Sequence, residues 1–344
     1  MSTSNQSYPY EGAMLIAKRI SQLGFCTTSF FGTLLILITV FFSNKNVGRY
    51  KYLVIMFLSL GIFFTIVEAT LCPNVHSYTG SWLLYSIEQP FGLSVYYMKI
   101  FLVFYTGVYA STICMLSVQF VYRYCAIFYQ DGLKIFEGWR ILLVLTYCAG
   151  FGMIWGGSIY MFSPVDDFAK DFLRHEMSMQ YGIDIDNVPA FTLVAYDKDG
   201  HFRWFNSTAN FIQFSIIIFC AAVMCLKMEE NMKMMSESLR SVHRQFFRTL
   251  IIQIVAPTIF LFTPLTFILY HPFLNQAISF PTGTFLCAIS FFPTVDAIVI
   301  MVVVNKYRNA VKKIFCFACR RSNAYGRKPS KIQTTITQTY STQH

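Results

Sequence analysis

Two carboxylates stand inside apolar stretches where a charge is costly: Glu68 within Tyr52–Leu71 and Asp296 within Thr282–Val304. An ionisable group in such a place marks a functional site by default; the plain alternative for Asp296 is a protonated acid bonded to a neighbouring helix. Glu68 lies near one end of its stretch, and Lys99 opens the next, Ile100–Tyr122. The two either pair and rim a pocket or stand as independent interfacial charges. Tyr105 and Tyr109, one helical turn apart, offer aromatic walls below such a rim. The same stretch closes on Tyr122-Arg123-Tyr124. A guanidinium set between two phenols suits capture of a partner's carbonyl or carboxylate, while its plain alternative is a charge marking the membrane edge. Pro257 and Pro264 in one stretch and Pro293 in another each free a backbone carbonyl and bend a helix.

Enzyme chemistry has no foothold among these residues. All six histidines lie in polar segments, so no metal ligand set forms inside the apolar stretches. The ten cysteines sit mostly in apolar runs, where cysteine behaves as a small hydrophobe. None lies between Cys148 and Cys220, so no disulfide ties the long polar segment there to its neighbours. No cofactor, metal or nucleic-acid partner is expected.

The stretches themselves fix the class. Hydrophobic residues make up 55% of the chain and charged residues only 13%, about half the share usual in soluble domains. Seven apolar runs follow one another: 20–42, 52–71, 100–122, 141–162, 208–226, 249–270 and 282–304. Each approaches the roughly 20 residues that cross a bilayer as a helix. The expectation is an all-α membrane protein, a seven-transmembrane helix bundle spanning 20–304. The first run is too long for a cleaved leader and reads as a retained membrane helix.

Charge gives the orientation. Twenty of the 27 Lys and Arg residues flank the ends that face the C-terminal tail, so the tail is expected in the cytoplasm and residues 1–19 outside. Sequons at Asn5 and Asn206 fall on the outer side; Asn206 abuts a helix, which leaves Asn5 as the expected glycosylation site. The outer segment Ser163–Asn206 carries eight acids and four bases. Within it, Phe191–Tyr196 and His201–Phe205 flank Asp197-Lys198-Asp199-Gly200, which signals a β-hairpin able to lid a pocket, with Phe191 on it; the alternative is a disordered loop. Past the seventh run, residues 305–319 place Tyr307, Val311, Ile314 and Phe315 on one face among lysines. That is a basic amphipathic helix expected to lie on the inner leaflet, with membrane lipid as its partner. Cys316 and Cys319 there are either reversibly palmitoylated or two free thiols. Residues 320–344 are polar and expected to be a disordered cytoplasmic tail.

Specific stretches carry a resemblance. Arg49-Tyr50-Lys51-Tyr52-Leu53, Gln119-Phe120-Val121-Tyr122-Arg123-Tyr124, Ala256-Pro257-Thr258-Ile259-Phe260 with Thr263-Pro264, Phe292-Pro293-Thr294-Val295-Asp296 and Tyr307-Arg308 together resemble the nematode serpentine chemoreceptors of the Str class. The resemblance runs from the first helix to the amphipathic helix. It implies a G-protein-coupled receptor in the plasma membrane of ciliated sensory neurons, taking a small odorant or pheromone and activating a heterotrimeric G protein. On that reading Tyr122, Arg123 and Tyr124 serve G-protein coupling, while Pro257, Pro264, Pro293 and Asp296 form an activation switch. Glu68, Lys99, Tyr105, Tyr109 and Phe191 are the candidate ligand contacts. Ala297 departs from the family, whose members often carry Pro after the helix-seven acid. The runner-up is a seven-helix channel or transporter subunit. The insect-type odorant channel has its N-terminus inside, against the charge count, and a transporter would show two similar halves. A retinal-type photoreceptor would need a lysine inside the seventh helix, where none is found.

Overall fold

The architecture comes from a computed structural model, which describes residues 8–41, 50–128, 130–196, 263–274, 276–303 and 307–313, with isolated positions at 199, 201, 203, 215, 219, 226, 230, 233, 255 and 259. The molecule is mostly helical. Helices α1 (Glu11–Phe41), α2 (Tyr50–Leu71), α3 (Val95–Phe128) and α4 (Ile141–Phe162) follow the first four apolar runs. The described part of the sixth run is α6 (Thr263–Tyr270). The seventh is α7 (Gly283–Ala288) and α8 (Phe292–Val303), joined by a 3-10 turn at Ile289–Phe291. Among the described residues, five helical spans are long and apolar enough to cross a membrane. The fifth apolar run and Pro257 lie outside the described residues except for isolated positions.

Several bounds differ from those read off hydropathy. Helix α1 has 31 residues and begins at Glu11, so it rises about 46 Å and takes in half of the polar N-terminal segment. Hydropathy missed this because helix continuity does not need apolar residues. Helix α3 runs 34 residues and continues past Arg123 to Phe128. The 3-10 turn in the seventh span precedes Pro293, the second residue of α8, where a missing N–H costs little. Gly61 of α2 makes room for that ring: a Cβ there would stand 2.8 Å from Pro293 Cβ.

Helices α3 and α4 touch backbone to backbone. A Cβ on Gly152 would lie 2.5 Å from the Gly107 carbonyl oxygen, and the Ser111 hydroxyl donates across the seam to the Cys148 carbonyl at 3.0 Å. Small residues at helical spacing drive such contacts in lipid, where apolar side chains gain nothing from leaving water.

Polar segments at one end of the helices build a cap. Strands β1 (Asn74–Tyr78), β2 (Ser81–Tyr85), β3 (Ala190–Val194) and β4 (Ser279–Phe280) form one antiparallel sheet in the order β3-β2-β1-β4. The central hairpin of this sheet is a different one from that expected within 191–205. Thr79 and Gly80, both at positive φ, turn β1 into β2, and β3 adds to β2 with Phe191 opposite Leu84. A two-residue loop with two positive φ values matches the twist of the strands it joins. Of the expected hairpin, Arg203 N–H donates to the carbonyl of Ala195, the residue after β3, at 2.8 Å; residues 197–198, 200, 202 and 204–205 lie outside the described residues.

Helix α5 (Asp167–Tyr181), within the polar segment 163–206 where the sequence reading expects no helix, lies over the sheet. The Asp166 carboxylate caps it by accepting from Ala169 N–H, and Gly182 ends it in the left-handed region. Its face of Leu173, Met177 and Tyr181 packs on Leu83 and Tyr85 of β2. Residues 307–313 form a helix that returns to the far end of α1: Tyr307 is buried, and the Thr39 hydroxyl donates to its phenol at 3.4 Å. Cys316, Cys319 and the residues beyond lie outside the described residues, as does Asn5.

Candidate functional site

Alternation along β1 and β2 divides the cap into two faces. Val75, Trp82 and Leu84 face the helices; His76 and Tyr85 face α5. Beneath the inner face lies a cavity of about 70 Å³. Its walls are Tyr105, Thr106 and Tyr109 of α3, Trp155 and Ile159 of α4, Leu265, Ile268 and Leu269 of α6, and Leu286 of α7. Helices α3, α4 and α6 each contribute residues at i, i+3 or i+4 spacing, one face of each, and α7 contributes one residue. Almost no polar surface meets the lumen. The Thr106 hydroxyl is turned back to its own helix, donating to the Val103 carbonyl at 2.8 Å. At about 10–15 Å³ per water-sized unit, the space suits a ligand of roughly five to seven non-hydrogen atoms.

Tyr105 and Tyr109 both line the cavity, beneath the β1–β2 hairpin. Phe64 of α2 fixes both rings, with centroids 5.8 Å from each. Phe191 is buried beside the cavity on β3 but does not line it. Glu68 does not rim the lumen either. It is buried behind the tyrosines, with the hydroxyls of Ser21 and Tyr105 as polar neighbours. No ion pair joins it to Lys99. Met98, Leu102, Tyr105 and Tyr109 form the buried stripe of α3, and Lys99 is one residue, or about 100° of helix, off that stripe. The residues that sequence reasoning missed are Val75, Trp82 and Leu84, whose alternation around Thr79-Gly80 is the available signal. The α4, α6 and α7 wall residues gave none, because their neighbours along those runs are mostly apolar as well.

The outer face of the sheet holds a buried polar chain. The Tyr181 phenol stands 3.1 Å from His76 Nδ1, and His76 Nε2 faces Glu176 Oε1 at 3.3 Å. The same Glu176 oxygen accepts from the Ser279 hydroxyl at 2.6 Å, and the Tyr10 phenol donates to the Ser279 carbonyl at 3.0 Å. This chain joins the N-terminal segment, β1, α5 and β4. Burial holds the His76 imidazole down at about 4, although the Glu176 carboxylate pulls the other way. Burial also keeps the Tyr181 phenol above its ordinary range.

At the opposite end of α3, Tyr122 is buried edge-on against Phe136 in the turn that follows the helix, ring centroids 5.1 Å apart. Its side chain is thus committed to packing that turn. Arg123 and Tyr124 lie on α3; their side chains lie outside the described residues. Pro264 is half-buried in the described part of the sixth run, on α6. Asp296 is buried on α8, on the same face as Pro293 and Ile300.

Comparison with known proteins covers nearly the whole of this arrangement. The profile of the serpentine type 7TM GPCR chemoreceptor Str family matches residues 17–312, from α1 to the helix at 307–313. The Caenorhabditis elegans protein "G-protein coupled receptor str-33" is 32% identical over 313 residues, covering 87% of this chain and 91% of that one. "Serpentine receptor class r-10" of Caenorhabditis briggsae is 26% identical over 311 residues, covering 86% and 89%. "G-protein coupled receptor str-217" of Caenorhabditis elegans is 24% identical over 327 residues, covering 89% and 92%.

Proposed function

The chain belongs to the serpentine Str family of seven-transmembrane chemoreceptors, and from that premise we propose that it binds a small, apolar odorant or pheromone in the cavity beneath the sheet and passes its occupancy to a heterotrimeric G protein. It is a multi-pass membrane protein. In this reading seven helices cross the plasma membrane, at the sensory cilium, with the N-terminus and the cap outside and residues 307–313 on the cytoplasmic side. The cavity carries the proposal: its walls come from four helices, so a ligand held there touches all four at once.

Coupling is assigned to Arg123, near the inner end of the helix whose outer half supplies Tyr105 and Tyr109. A guanidinium keeps its charge when partly desolvated and offers five donors to a G-protein C-terminus. The 3-10 turn in the seventh span ahead of Pro293, and Pro264 in the sixth run, are assigned as the elements that move. A panel of small volatiles tested on cells reporting calcium or cyclic nucleotide examines this function. A saturable response that needs the receptor supports it; silence across the panel with receptor verified at the surface counts against it.

A further inference from the structure

We infer that Glu68 anchors a monovalent-cation site, with sodium as its ion, reached from a second cavity at the outer end of α1. Glu68 is fully buried on α2, one turn below Cys72, whose N–H donates to the Glu68 carbonyl at 2.8 Å. Around its carboxyl stand Ser21 of α1 and Tyr105 of α3, with Tyr109 close enough to feel its charge. All of these side chains are buried, and both carboxylate oxygens and all three hydroxyls lack a hydrogen-bond partner of normal geometry. Among the described residues no Lys or Arg pairs with Glu68: Lys18 is held by Glu88 at 2.6 Å, and Lys99 does not reach it. A bare carboxylate at such a depth is untenable without a counter-charge. The donors are hard oxygens from three helices, one of them anionic. One negative charge balances a monovalent ion, whereas calcium and magnesium sites gather more carboxylates.

A second cavity lies about one helical turn from this position. Its volume is about 400 Å³, and it lies between the outer turns of α1 and the segment joining β2 to α3, lined by Glu11, Lys18, Cys72, Asn74 and Glu88 among others. Cys72, one turn above Glu68, lines it. Two acids against one base in its lining favour cations there. The site lies behind the tyrosines: their rings wall the ligand cavity while Tyr105 presents its hydroxyl to Glu68. Ion and ligand therefore meet the same two side chains without touching each other.

The test uses purified full-length receptor in lipid nanodiscs, with thermal unfolding followed in sodium chloride and in choline chloride at equal ionic strength and pH. The expected result is a melting temperature that rises saturably with sodium and ceases to do so in Glu68→Gln. Ser21→Ala and Tyr109→Phe should each raise the half-saturating sodium concentration about five-fold, the size of one lost polar contact. Equal melting in both salts, or sodium dependence retained in Glu68→Gln, overturns the proposal. So does sensitivity to pH without sensitivity to sodium, which makes a proton the counter-charge. Should Glu68→Gln fail to fold, unchanged sodium half-saturation in both hydroxyl variants overturns it. No agonist is needed, so the outcome is independent of the chemoreceptor reading.

Discussion

Val75 and Leu84 stand opposite each other on β1 and β2, and both face the cavity below. The roof over the proposed ligand is thus a cross-strand pair fixed by a two-residue turn. Leu84→Ala should enlarge the space and move the preferred agonist toward a longer homologue. The ratio of half-maximal concentrations for two homologues should change about ten-fold, or about 1.4 kcal/mol. Dose–response curves of a homologous series at matched surface expression would show this, and an unmoved ratio would remove Leu84 from the ligand's contacts.

β3 is structural before it is a lid. Phe191 and Leu193 are buried, and the Thr192 hydroxyl donates to the Trp82 carbonyl at 2.6 Å. Replacing Ala190–Val194 with a Gly/Ser linker strips those contacts and bares an edge of β2. Surface expression should fall to near background, measured by flow cytometry on intact cells.

Two glycines of α4 separate packing from propensity. Gly152→Ala drives a methyl group into the Gly107 carbonyl and the Ser111 hydroxyl, whereas a Cβ at Gly150 meets nothing within 4 Å. The first should destabilise by about 1–3 kcal/mol, as overpacking does. The second should be neutral or stabilise by up to about 1 kcal/mol, since alanine is the better helix former. Melting temperatures of the two purified variants would settle the ordering.

Acid should loosen the cap. The closed cap holds His76 neutral with its imidazole at about 4, while an opened cap returns it to the ordinary value of 6.5. A base whose closed-state value is depressed favours closure fully above 6.5. That preference is lost as pH falls from 6.5 toward 4, by up to about 3 kcal/mol. Glu176, Tyr181 and Tyr10 face the same chain and set its polarity. Hydrogen exchange of β1 and α5 should quicken between pH 6.5 and 4.5, and His76→Phe should flatten that dependence.

Hydropathy made the long spans legible because a bilayer demands about 20 apolar residues regardless of what they pack against. It could not show which face of α4 or α6 is inward, since lipid and core accept the same side chains. The cap was less legible. Asp166 before the helix and Gly182 after it are capping signals of α5, and Leu173, Met177 and Tyr181 keep its period; the surrounding charges hid them. The Asp-Gly at 199–200 drew attention from Thr79-Gly80, where the hairpin that roofs the cavity turns. Glu68 was recognised as exceptional, but one sequence could not show whether it faced a lumen or a helix junction.

Arg123→Ala should abolish G-protein activation at normal surface level while ligand binding survives, and Arg123→Lys should keep part of the signal because the charge stays while the planar fork is lost. Signalling equal to the parent in Arg123→Ala would leave the arginine as a membrane-edge charge.

The most direct test of the cavity as the place where ligand acts is a G-protein dissociation assay on the receptor and on Leu269→Trp, matched for surface level. Leu269 is buried on α6 and lines the cavity, so an indole there fills most of its roughly 70 Å³. The expected result is a saturable response of the parent receptor to a small apolar volatile, absent in Leu269→Trp. The same response at unchanged potency in Leu269→Trp would contradict the assignment.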